Sequence, residues 1–253
     1  MEESGISWVS GMSVTRRILD LLFPPLCIAC HAPVSQAGFC AACWSGIVFL
    51  DGPCCGCCGH PFGVALDGNN LCAACLAKPP AFDSARAIFV YDEKSRGAIL
   101  ALKHADRLDL VPGFARWLRR TGQALLDRSD MVVPVPLHAL RLWRRRYNQS
   151  AELARRLARE RQLVYAPSAL VRARATASQG AMTSAKARRR NVLGAFQVPE
   201  PATVAGKRVL LLDDVLTTGA TVEACARALK RAGAARVDVL VLARVVKPPD
   251  LLI

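Results

Sequence analysis

The sequence lacks the features that would place this 253-residue chain in a membrane or a secretory pathway. No segment approaches the roughly 18 consecutive apolar residues of a transmembrane span, and the strongest candidate, 21–29, is interrupted by Pro24 and Pro25. The amino terminus opens with two acidic residues and no long apolar stretch, unlike a secretory signal. We therefore expect a cytoplasmic protein. Its 52% apolar content excludes a mostly disordered chain.

Two common nucleotide-binding loops are also missing. The chain has no G-x-x-x-x-G-K-[ST] loop and no G-x-G-x-x-G fingerprint, which argues against a P-loop nucleotide hydrolase and a dinucleotide-binding enzyme. Within residues 141–190 the aromatic residues are only Trp143, Tyr147 and Tyr165, so the signal for stacking on bases is weak there.

The net charge of +14 is concentrated in one part of the chain. Residues 141–190 contain fourteen Arg or Lys and two acidic residues, whereas residues 1–80 contain three basic and five acidic residues. A local excess of this size predicts an anionic partner, which could be nucleic acid, a membrane surface or a phosphate-rich small molecule.

Ten of the eleven cysteines lie between Cys27 and Cys75. They include two consecutive sets of paired Cys-x-x-Cys turns, and two such turns complete a tetrahedral zinc site that has no open position for catalysis. The spacing therefore predicts two structural zinc ions, with these ligands: Cys27, Cys30, Cys40 and Cys43 for the first, and Cys55, Cys58, Cys72 and Cys75 for the second.

Two alternatives to this cysteine assignment stay open. A disulfide framework is one, but it requires an oxidising compartment and no export signal is visible. The other arises because Cys54 and Cys57 have the same spacing as Cys55 and Cys58. We favour the latter pair because Gly59 follows it, as a tight metal-binding knuckle often requires.

After Pro79 and Pro80 the pattern changes to strands that alternate with helices. The periodicity predicts strands in 85–91, 131–135, 207–212 and 237–245, and helices in 94–103, 110–126, 150–162 and 220–232. This alternation favours an α/β fold, a doubly wound and mainly parallel sheet covered on both faces. Cys225 lies on the apolar side of the last helix and is predicted to be a core residue.

The most informative segment is 209–221, with the sequence VLLLDDVLTTGAT. A buried strand places Asp213 and Asp214 at its carboxyl end, where parallel sheets bind ligands. The Thr/Gly loop that follows leads into a helix amino terminus, whose free N–H groups suit a phosphate monoester. The carboxylates can accept hydrogen bonds from sugar hydroxyls or help to hold Mg²⁺. The alternative, an ordinary strand-to-helix turn, needs only one capping Asp or Thr.

This segment resembles the phosphoribosyl-pyrophosphate (PRPP) motif of type I phosphoribosyltransferases. The whole chain resembles one branch of them, the ComF family of competence-associated proteins, which pair a double zinc ribbon with a phosphoribosyltransferase-like domain. Besides the cysteines, the resemblance rests on these segments: 23–27 (FPPLC), 102–103 (LK), 134–137 (PVPL), 147–150 (YNQS), 172–176 (RARAT), Gln179, and 188–191 (RRRN) with Phe196.

The resemblance implies particular site residues. Asp213 and Asp214 would engage the ribose hydroxyls and the metal shell, and Lys103 would lie near pyrophosphate. The 5′-phosphate would be held by Thr217, Thr218, Gly219, Ala220 and Thr221. A mobile hood that binds anions would include Arg172, Arg174, Gln179, Arg188 and Arg190. From the residues alone, an exposed surface position for Lys103 and a helix-capping role for Asn148 remain alternatives.

Two functional hypotheses follow. The first is a Mg²⁺-dependent phosphoribosyltransferase acting on PRPP or a related compound, linked to DNA uptake. The second is a non-catalytic accessory protein, in which the zinc ribbons and residues 141–190 bind single-stranded DNA alongside DNA-uptake proteins. We expect an extension at 1–22, a double zinc ribbon at 23–80 and a phosphoribosyltransferase-like domain at 81–247. Pairing of such domains would make the protein an oligomer.

Overall fold

The computed structural model describes residues 24–35, 38–64, 70–103, 105–138, 142–143, 147–174 and 190–246. The predicted extension at 1–22 lies outside the described residues, as do Gln179 and Arg188. The helices are α1 (Ala41–Ser45), α2 (Ala73–Ala77), α3 (Glu93–Leu102), α4 (Val111–Thr121), α5 (Gln123–Asp127), α6 (Gln149–Arg161) and α7 (Ala220–Arg231). The strands are β1 (Ser84–Val90), β2 (Met131–Pro134), β3 (Val164–Tyr165), β4 (Val171–Arg172), β5 (Phe196–Gln197), β6 (Arg208–Leu216) and β7 (Arg236–Arg244).

Five strands form one sheet in the order β1-β7-β6-β2-β3, and every neighbouring pair is parallel. The strands β4 and β5 form a separate antiparallel pair. β6 lies in the middle of the five-stranded sheet, between β7 and β2. The side chains at its carboxyl end therefore meet the residues that follow the neighbouring strands.

Helices cover both faces of the sheet. One core contains alternate residues of β2, β6 and β7 together with the apolar side of α7. The other core contains the intervening strand residues and the apolar sides of α3, α4 and α6. This arrangement confirms the predicted doubly wound α/β fold. Cys225 of α7 is fully buried, as expected for a core residue. None of the described helices is long and apolar enough to cross a membrane.

Two predicted elements differ from the structure. The single helix predicted for 110–126 is wrong, because α4 ends at Thr121 and α5 begins at Gln123. Gly122 lies at the break, where an added Cβ would be 2.5 Å from the Leu240 side chain. The prediction that a strand ends at Leu212 is also wrong. β6 continues past it because its backbone keeps pairing with β7 beyond the apolar run.

The segment that carries the first four zinc ligands packs against α4 and the edge strand β1 through aromatic rings. Phe39 stacks on Trp117 of α4 with 5.6 Å between ring centroids, and the Trp44 ring lies 5.5 Å from that of Trp117. The backbone that follows α1 runs antiparallel to β1 and pairs Phe49 with Phe89. This segment therefore covers the outer edge of β1, which would otherwise be an unpaired sheet edge.

The second cysteine segment docks mainly through backbone hydrogen bonds. Ala85 donates its N–H to the carbonyl of Cys57 at 2.6 Å, and Ser84 Oγ donates to the carbonyl of Gly56 at 2.9 Å. Gly59 has a φ of +68°, and an added Cβ would lie 2.4 Å from the carbonyl oxygen of Ala85. Glycine is required at this knuckle both for its conformation and for its close approach to β1.

Candidate phosphate and cation site

The acidic pair belongs to the last part of β6. Asp213 and Asp214 are strand residues, and their side chains are held by groups from two other parts of the chain. One is the end of α3, and the other is the amino end of α6. Because β2 and β6 are parallel neighbours, the segment that leads from β2 into α6 begins at the same edge of the sheet as the acids.

Asp214 is fixed by two donors. Lys103, at the end of α3, places its Nζ 3.1 Å from Asp214 Oδ2. Gln149, the first residue of α6, donates from Nε2 to the same oxygen at 2.8 Å. The alternative of an exposed surface position for Lys103 is wrong, because its side chain is only 23% exposed and forms an ion pair with an acid.

Asp213 has a different environment. Its Oδ1 accepts a hydrogen bond from the backbone N–H of Asp214 at 2.9 Å and from Ser150 Oγ at 3.4 Å. Burial, followed by the negative charge of Asp214, raises the pKa of Asp213 to about 7, although Lys103 and these hydrogen bonds act in the opposite direction. A carboxyl with this pKa can exchange a proton near neutral pH, and a bound cation would favour its ionised form.

The loop between β6 and α7 has the geometry of an anion cradle. Gly219 is the N-cap residue of α7 and has a φ of +76°, a conformation that favours glycine. The N–H groups of the first turn of α7 are therefore available at the loop, next to the hydroxyls of Thr217, Thr218 and Thr221. Thr218 Oγ1 is buried, and no hydrogen-bond partner for it is present among the described residues. This combination suits a phosphate group.

The described part of the predicted hood lies on the β4–β5 pair and its flanks. The guanidinium of Arg172 lies 5.2 Å from the centroid of the Phe196 ring. Arg174 donates to the carbonyl of Leu193 at 2.7 Å, and Arg190 is exposed. Arg172 and Arg174 therefore lie immediately before residues 175–189, which are not among the described residues.

The eight predicted zinc ligands form two clusters of four. Within each cluster the sulfur atoms all lie within 4.8 Å of one another, and the second cluster uses Cys55 and Cys58, the pair that the following glycine favoured. The Sγ atoms of Cys30 and Cys40 are 3.7 Å apart, and those of Cys58 and Cys72 are 3.6 Å apart. A tetrahedral zinc ion with Zn–S bonds of about 2.3 Å requires a sulfur separation of roughly 3.8 Å, so both clusters fit it.

Backbone amides also lower the pKa of one thiol in each cluster. Burial tends to raise the pKa of Cys27, but hydrogen bonds from neighbouring backbone N–H groups, led by that of Cys30, outweigh it and lower the pKa to about 6. The same balance lowers the pKa of Cys55 to about 7, with the N–H groups of Cys72 and Cys58 as the main donors. The thiolate is the form that binds zinc, so these amides favour the ligating state of Cys27 and Cys55. In contrast, neighbouring thiols and burial raise the pKa values of three other ligands, Cys43, Cys58 and Cys75.

Sequence reasoning missed the contribution of α6 to the acidic site. Asn148 caps this helix by accepting a hydrogen bond from the N–H of Ser150 at 3.0 Å, which confirms the capping alternative. The next two side chains, Gln149 and Ser150, contact Asp214 and Asp213. The available signal was spacing: each of these two polar residues lies four positions before an apolar residue of the buried side of α6.

Comparison with known proteins agrees with this architecture. Residues 18–76 match the family described as a double zinc ribbon domain, and residues 102–249 match the phosphoribosyl transferase domain. The DNA utilization protein YhgH of Escherichia coli O157:H7 is 36% identical over 234 residues, which cover 88% of this chain and 99% of that protein. Competence protein F of Haemophilus influenzae is 31% identical over 228 residues, which cover 86% of this chain and 96% of that protein.

The chain belongs to the ComF family. The two cysteine clusters inside its double zinc ribbon support two structural zinc ions. Solved structures that resemble the chain are more distant in sequence. The allosteric regulatory enzyme of purine biosynthesis is 22% identical with a TM-score of 0.34, and the match covers 55% of this chain and 25% of that enzyme. A hypoxanthine phosphoribosyltransferase from Staphylococcus aureus is 16% identical with a TM-score of 0.35, covering 56% and 66% of the two chains.

Proposed function

We propose that this protein binds PRPP, or a closely related phosphoribosyl compound, together with Mg²⁺ at the end of β6. The observation that carries the proposal is the continuity of the acidic pair with the phosphate cradle. Asp213 and Asp214 lie directly before the loop of Thr217, Thr218 and Gly219, so one ligand can present hydroxyls to the acids and a phosphate to the loop.

The chemistry of the donors fits a magnesium ion. Mg²⁺ prefers carboxylate and water oxygens and is usually held by one or two carboxylates together with the phosphates of a substrate. The hydrogen bonds described above use Oδ1 of Asp213 and Oδ2 of Asp214, so they do not involve the second oxygen of either carboxylate. A bound Mg²⁺ would supply positive charge that neutralises pyrophosphate as it leaves.

The chain's own residues would contribute positioning and charge. The cradle would fix the 5′-phosphate, and the acids would orient the ribose hydroxyls so that C1 is presented to an acceptor. Lys103 lies beside Asp214 and would turn toward the pyrophosphate oxygens when these enter the site. Guanidinium groups bind phosphate in bidentate fashion, which suits a hood that closes over the leaving group. Its residues would be Arg172, Arg174, Gln179, Arg188 and Arg190.

We further propose that this chemistry serves the handling of DNA or its components. The support is the naming of the relatives, which are called a DNA utilization protein in Escherichia coli and a competence protein in Haemophilus influenzae. Bases released from DNA are the class of acceptor that a phosphoribosyl site would meet in such a setting. The proposed reaction is transfer of the phosphoribosyl group to an acceptor with release of pyrophosphate.

Titration calorimetry with PRPP and Mg²⁺ tests the proposal. We expect the wild-type protein to bind PRPP only with Mg²⁺ present, and the double variant Asp213→Asn/Asp214→Asn to lose at least about two orders of magnitude in affinity, because charge-assisted contacts to both hydroxyls and metal are removed. Equal binding by the two proteins would disprove the assignment. Release of pyrophosphate in the presence of candidate bases then separates a transferase from a protein that only binds.

A second function, binding of single-stranded DNA, is favoured by one group of side chains. The rings of Phe39, Trp44 and Trp117 lie together on the first ribbon and α4, and Trp44 is 44% exposed. Arg116 and Arg120 are exposed on α4, on either side of Trp117 in the sequence. Aromatic faces next to guanidinium groups are typical of single-strand binding surfaces.

The two functions differ in their dependence on salt. If Arg side chains hold single-stranded DNA by its phosphates, affinity for an oligonucleotide falls steeply between low and moderate salt. We expect Trp44→Ala to weaken that binding and to leave PRPP binding unchanged. An oligonucleotide affinity that is insensitive to salt and to Trp44→Ala would exclude this surface.

A further inference from the structure

A cavity lies between α7 and the second zinc ribbon, which carries Cys55, Cys58, Cys72 and Cys75. Its volume is about 380 Å³. The ribbon side is formed by the cluster cysteines Cys58 and Cys75 with Lys78 and the following prolines, and the opposite side by the phosphate loop and α7. Ligand cavities typically have volumes of roughly 300 to 1,000 Å³, so this one is of a size for a small molecule.

The charged side chains that line the cavity are mainly donors. Lys78, Arg227 and Arg244 face a single acidic residue, Glu223. One oxygen of Glu223 accepts a hydrogen bond from the Arg227 guanidinium at 2.6 Å, and the other accepts one from the backbone N–H of Ala81 at 2.9 Å. A zinc ion with four thiolates carries a formal charge of about −2, so together with Glu223 it balances the three cations, and any attraction for an anion comes from where the N–H donors lie, since metal-bound sulfurs are weak acceptors. The wall therefore offers donors to an anionic ligand.

Two donors in the cavity wall have no partner within the described part of the chain. One is the hydroxyl of Thr218 in the phosphate loop, and the other is the Nε–H of Arg244. Arg244 is held in place by the ribbon, since its NH1 group donates to the carbonyl of Cys58 at 2.6 Å. Thr218 already belongs to the cradle for the 5′-phosphate, so Arg244, held on the ribbon with its Nε–H unpaired among the described residues, is the donor that this cavity adds for an acceptor-rich ligand such as a phosphate.

The rest of the wall is apolar. Pro79, Pro80, Phe82 and Leu216 supply apolar surface next to the charged groups. These surfaces suit a ligand that carries a phosphate together with a planar ring whose faces can pack on them. A mononucleotide has both features, and its size agrees with the volume.

The cavity is distinct from the site of transfer. Neither Asp213 nor Asp214 lines it, although residues 216–220 line both this cavity and the cradle. The phosphate loop therefore has one surface toward the acidic pair and another toward the ribbon. A ligand in the cavity contacts the loop without competing for the ribose position.

We propose that this cavity binds a nucleoside monophosphate at the same time as PRPP occupies the cradle, with Lys78, Arg227 and Arg244 on its phosphate. This proposal rests on the proposed function only in taking PRPP as the ligand of the cradle. The nucleotide site itself is formed by other side chains. Because both ligands contact one loop, binding of either changes the affinity for the other by the same factor.

Calorimetry on the full chain saturated with PRPP and Mg²⁺ tests the proposal, with adenosine 5′-monophosphate and thymidine 5′-monophosphate as separate probes. We expect at least one of them to bind the saturated protein with one site per chain. The double variant Lys78→Gln/Arg227→Gln should weaken that binding at least about tenfold, because it removes two charge-assisted contacts, and should keep its affinity for PRPP within about twofold. The matched control is Lys207→Gln/Arg231→Gln, which removes one exposed Lys and one exposed Arg outside the cavity and should change neither affinity.

Three results would overturn the proposal. The first is nucleotide binding that PRPP abolishes, since the nucleotide then occupies the cradle. The second is equal nucleotide affinity in the cavity variant and its control, and the third is no binding of either probe. If PRPP itself fails to bind, the proposed function fails, and the same pair of double variants titrated in the absence of PRPP still decides whether the cavity binds nucleotides.

Discussion

The central sheet has an amino edge, where its strands begin, and a carboxyl edge, where they end. The acidic residues at these two edges lie in opposite electrostatic settings. At the amino edge, Asp130 accepts hydrogen bonds from both the side chain and the backbone of Arg208, and these lower the pKa of Asp130 to about 2. Asp238, with a side chain only 2% exposed, lies between Arg128 and Arg236 at 2.7 and 2.9 Å. Acids at this edge are matched by cations and stabilise the junctions between strands.

At the carboxyl edge the balance is reversed. Asp213 and Asp214 are adjacent, and among the described residues one cation, Lys103, forms an ion pair with them. Burial and the neighbouring charge raise the pKa of Asp213, whereas the pKa of Asp130 is lowered. An edge that keeps two carboxylates close together with too little positive charge is less stable than it could be. The proposed cation and its ligand would restore the charge balance there, and perturbed pKa values tend to occur at functional sites.

A glycine-to-alanine substitution at each edge should give the largest difference in PRPP affinity between the two edges. Gly219 at the carboxyl edge and Gly206 at the amino edge have φ values of +76° and +69°, and an added Cβ would meet no atom closer than 3.9 Å at either position. Replacing each by alanine imposes a similar backbone strain of about 1–2 kcal/mol. We expect Gly219→Ala to weaken PRPP binding by at least about thirtyfold in calorimetry, because the N–H groups of the cradle shift.

Gly206→Ala is the control for that substitution. It should lower the melting temperature by a few degrees, as Gly219→Ala does, and leave PRPP affinity unchanged. A similar loss of affinity in both variants would mean that the cradle is not where the phosphate binds.

The next largest effect concerns Gln149. This residue is 3% exposed, its Nε2 donates to Asp214, and its Oε1 is buried without a partner among the described residues. We expect Gln149→Leu to weaken PRPP binding about fivefold to tenfold, because a hydrogen bond to a charged group is lost and Asp214 is less well positioned. Calorimetry beside Gln123→Leu, which changes an exposed residue of α5, checks this, and equal affinities in the two variants would contradict it.

A smaller effect is expected on stability, with a defined pH dependence. The pKa of Asp213 is raised from 3.8 to about 7 in the folded protein. Between these values the folded state holds a proton that the unfolded state has released, so stability falls as pH rises and the cost is complete above pH 7 or so. Asp213→Asn removes that cost. Its melting temperature should exceed that of the wild type by about 2 °C or more at pH 8, and the difference should narrow as the pH falls toward 5. A difference that stays constant over this range would contradict the assignment.

The opposite pH dependence is expected at the amino edge, with the smallest effect. The pKa of Asp130 is lowered from 3.8 to about 2, so its stabilising contribution is present above pH 4 and is lost as pH falls toward 2. Asp130→Asn should lower the melting temperature at pH 7 by no more than about 2 °C, since the ion pair is partly exposed. The difference should shrink below pH 4. A weaker affinity of this variant for PRPP would contradict the assignment of different roles to the two edges.

The sequence was sufficient where one continuous segment carries the whole signal. Residues 209–221 contain strand, acids, loop and helix start in order, so their sequence alone identifies the candidate site. The Cys-x-x-Cys turns are equally local, and the glycine after Cys58 distinguished the correct pair from Cys54 and Cys57. Each of these features is fixed by backbone geometry within a few residues.

The remainder depends on contacts between distant segments. Gln149 lies 65 residues before Asp214, and nothing near Gln149 indicates which acid it meets. Gly122, at the break between α4 and α5, approaches Leu240 on β7 too closely to carry a side chain, which an apolar helical pattern cannot show. The cavity between the second ribbon and the phosphate loop joins segments that are more than a hundred residues apart.

One measurement compares the two edges directly. Mg²⁺-dependent PRPP binding is titrated in the wild type, in Asp213→Asn/Asp214→Asn and in Asp83→Asn/Asp130→Asn, which removes two acids from the amino edge. Asp83 directly precedes β1 and pairs with Lys230 at 2.7 Å, so it lies at the amino edge like Asp130. We predict that only the first double variant loses binding, while the second binds like the wild type at a temperature where all three are folded. Retained binding in the first variant, or an equal loss in both, would contradict the assignment of the phosphoribosyl site to the carboxyl end of β6.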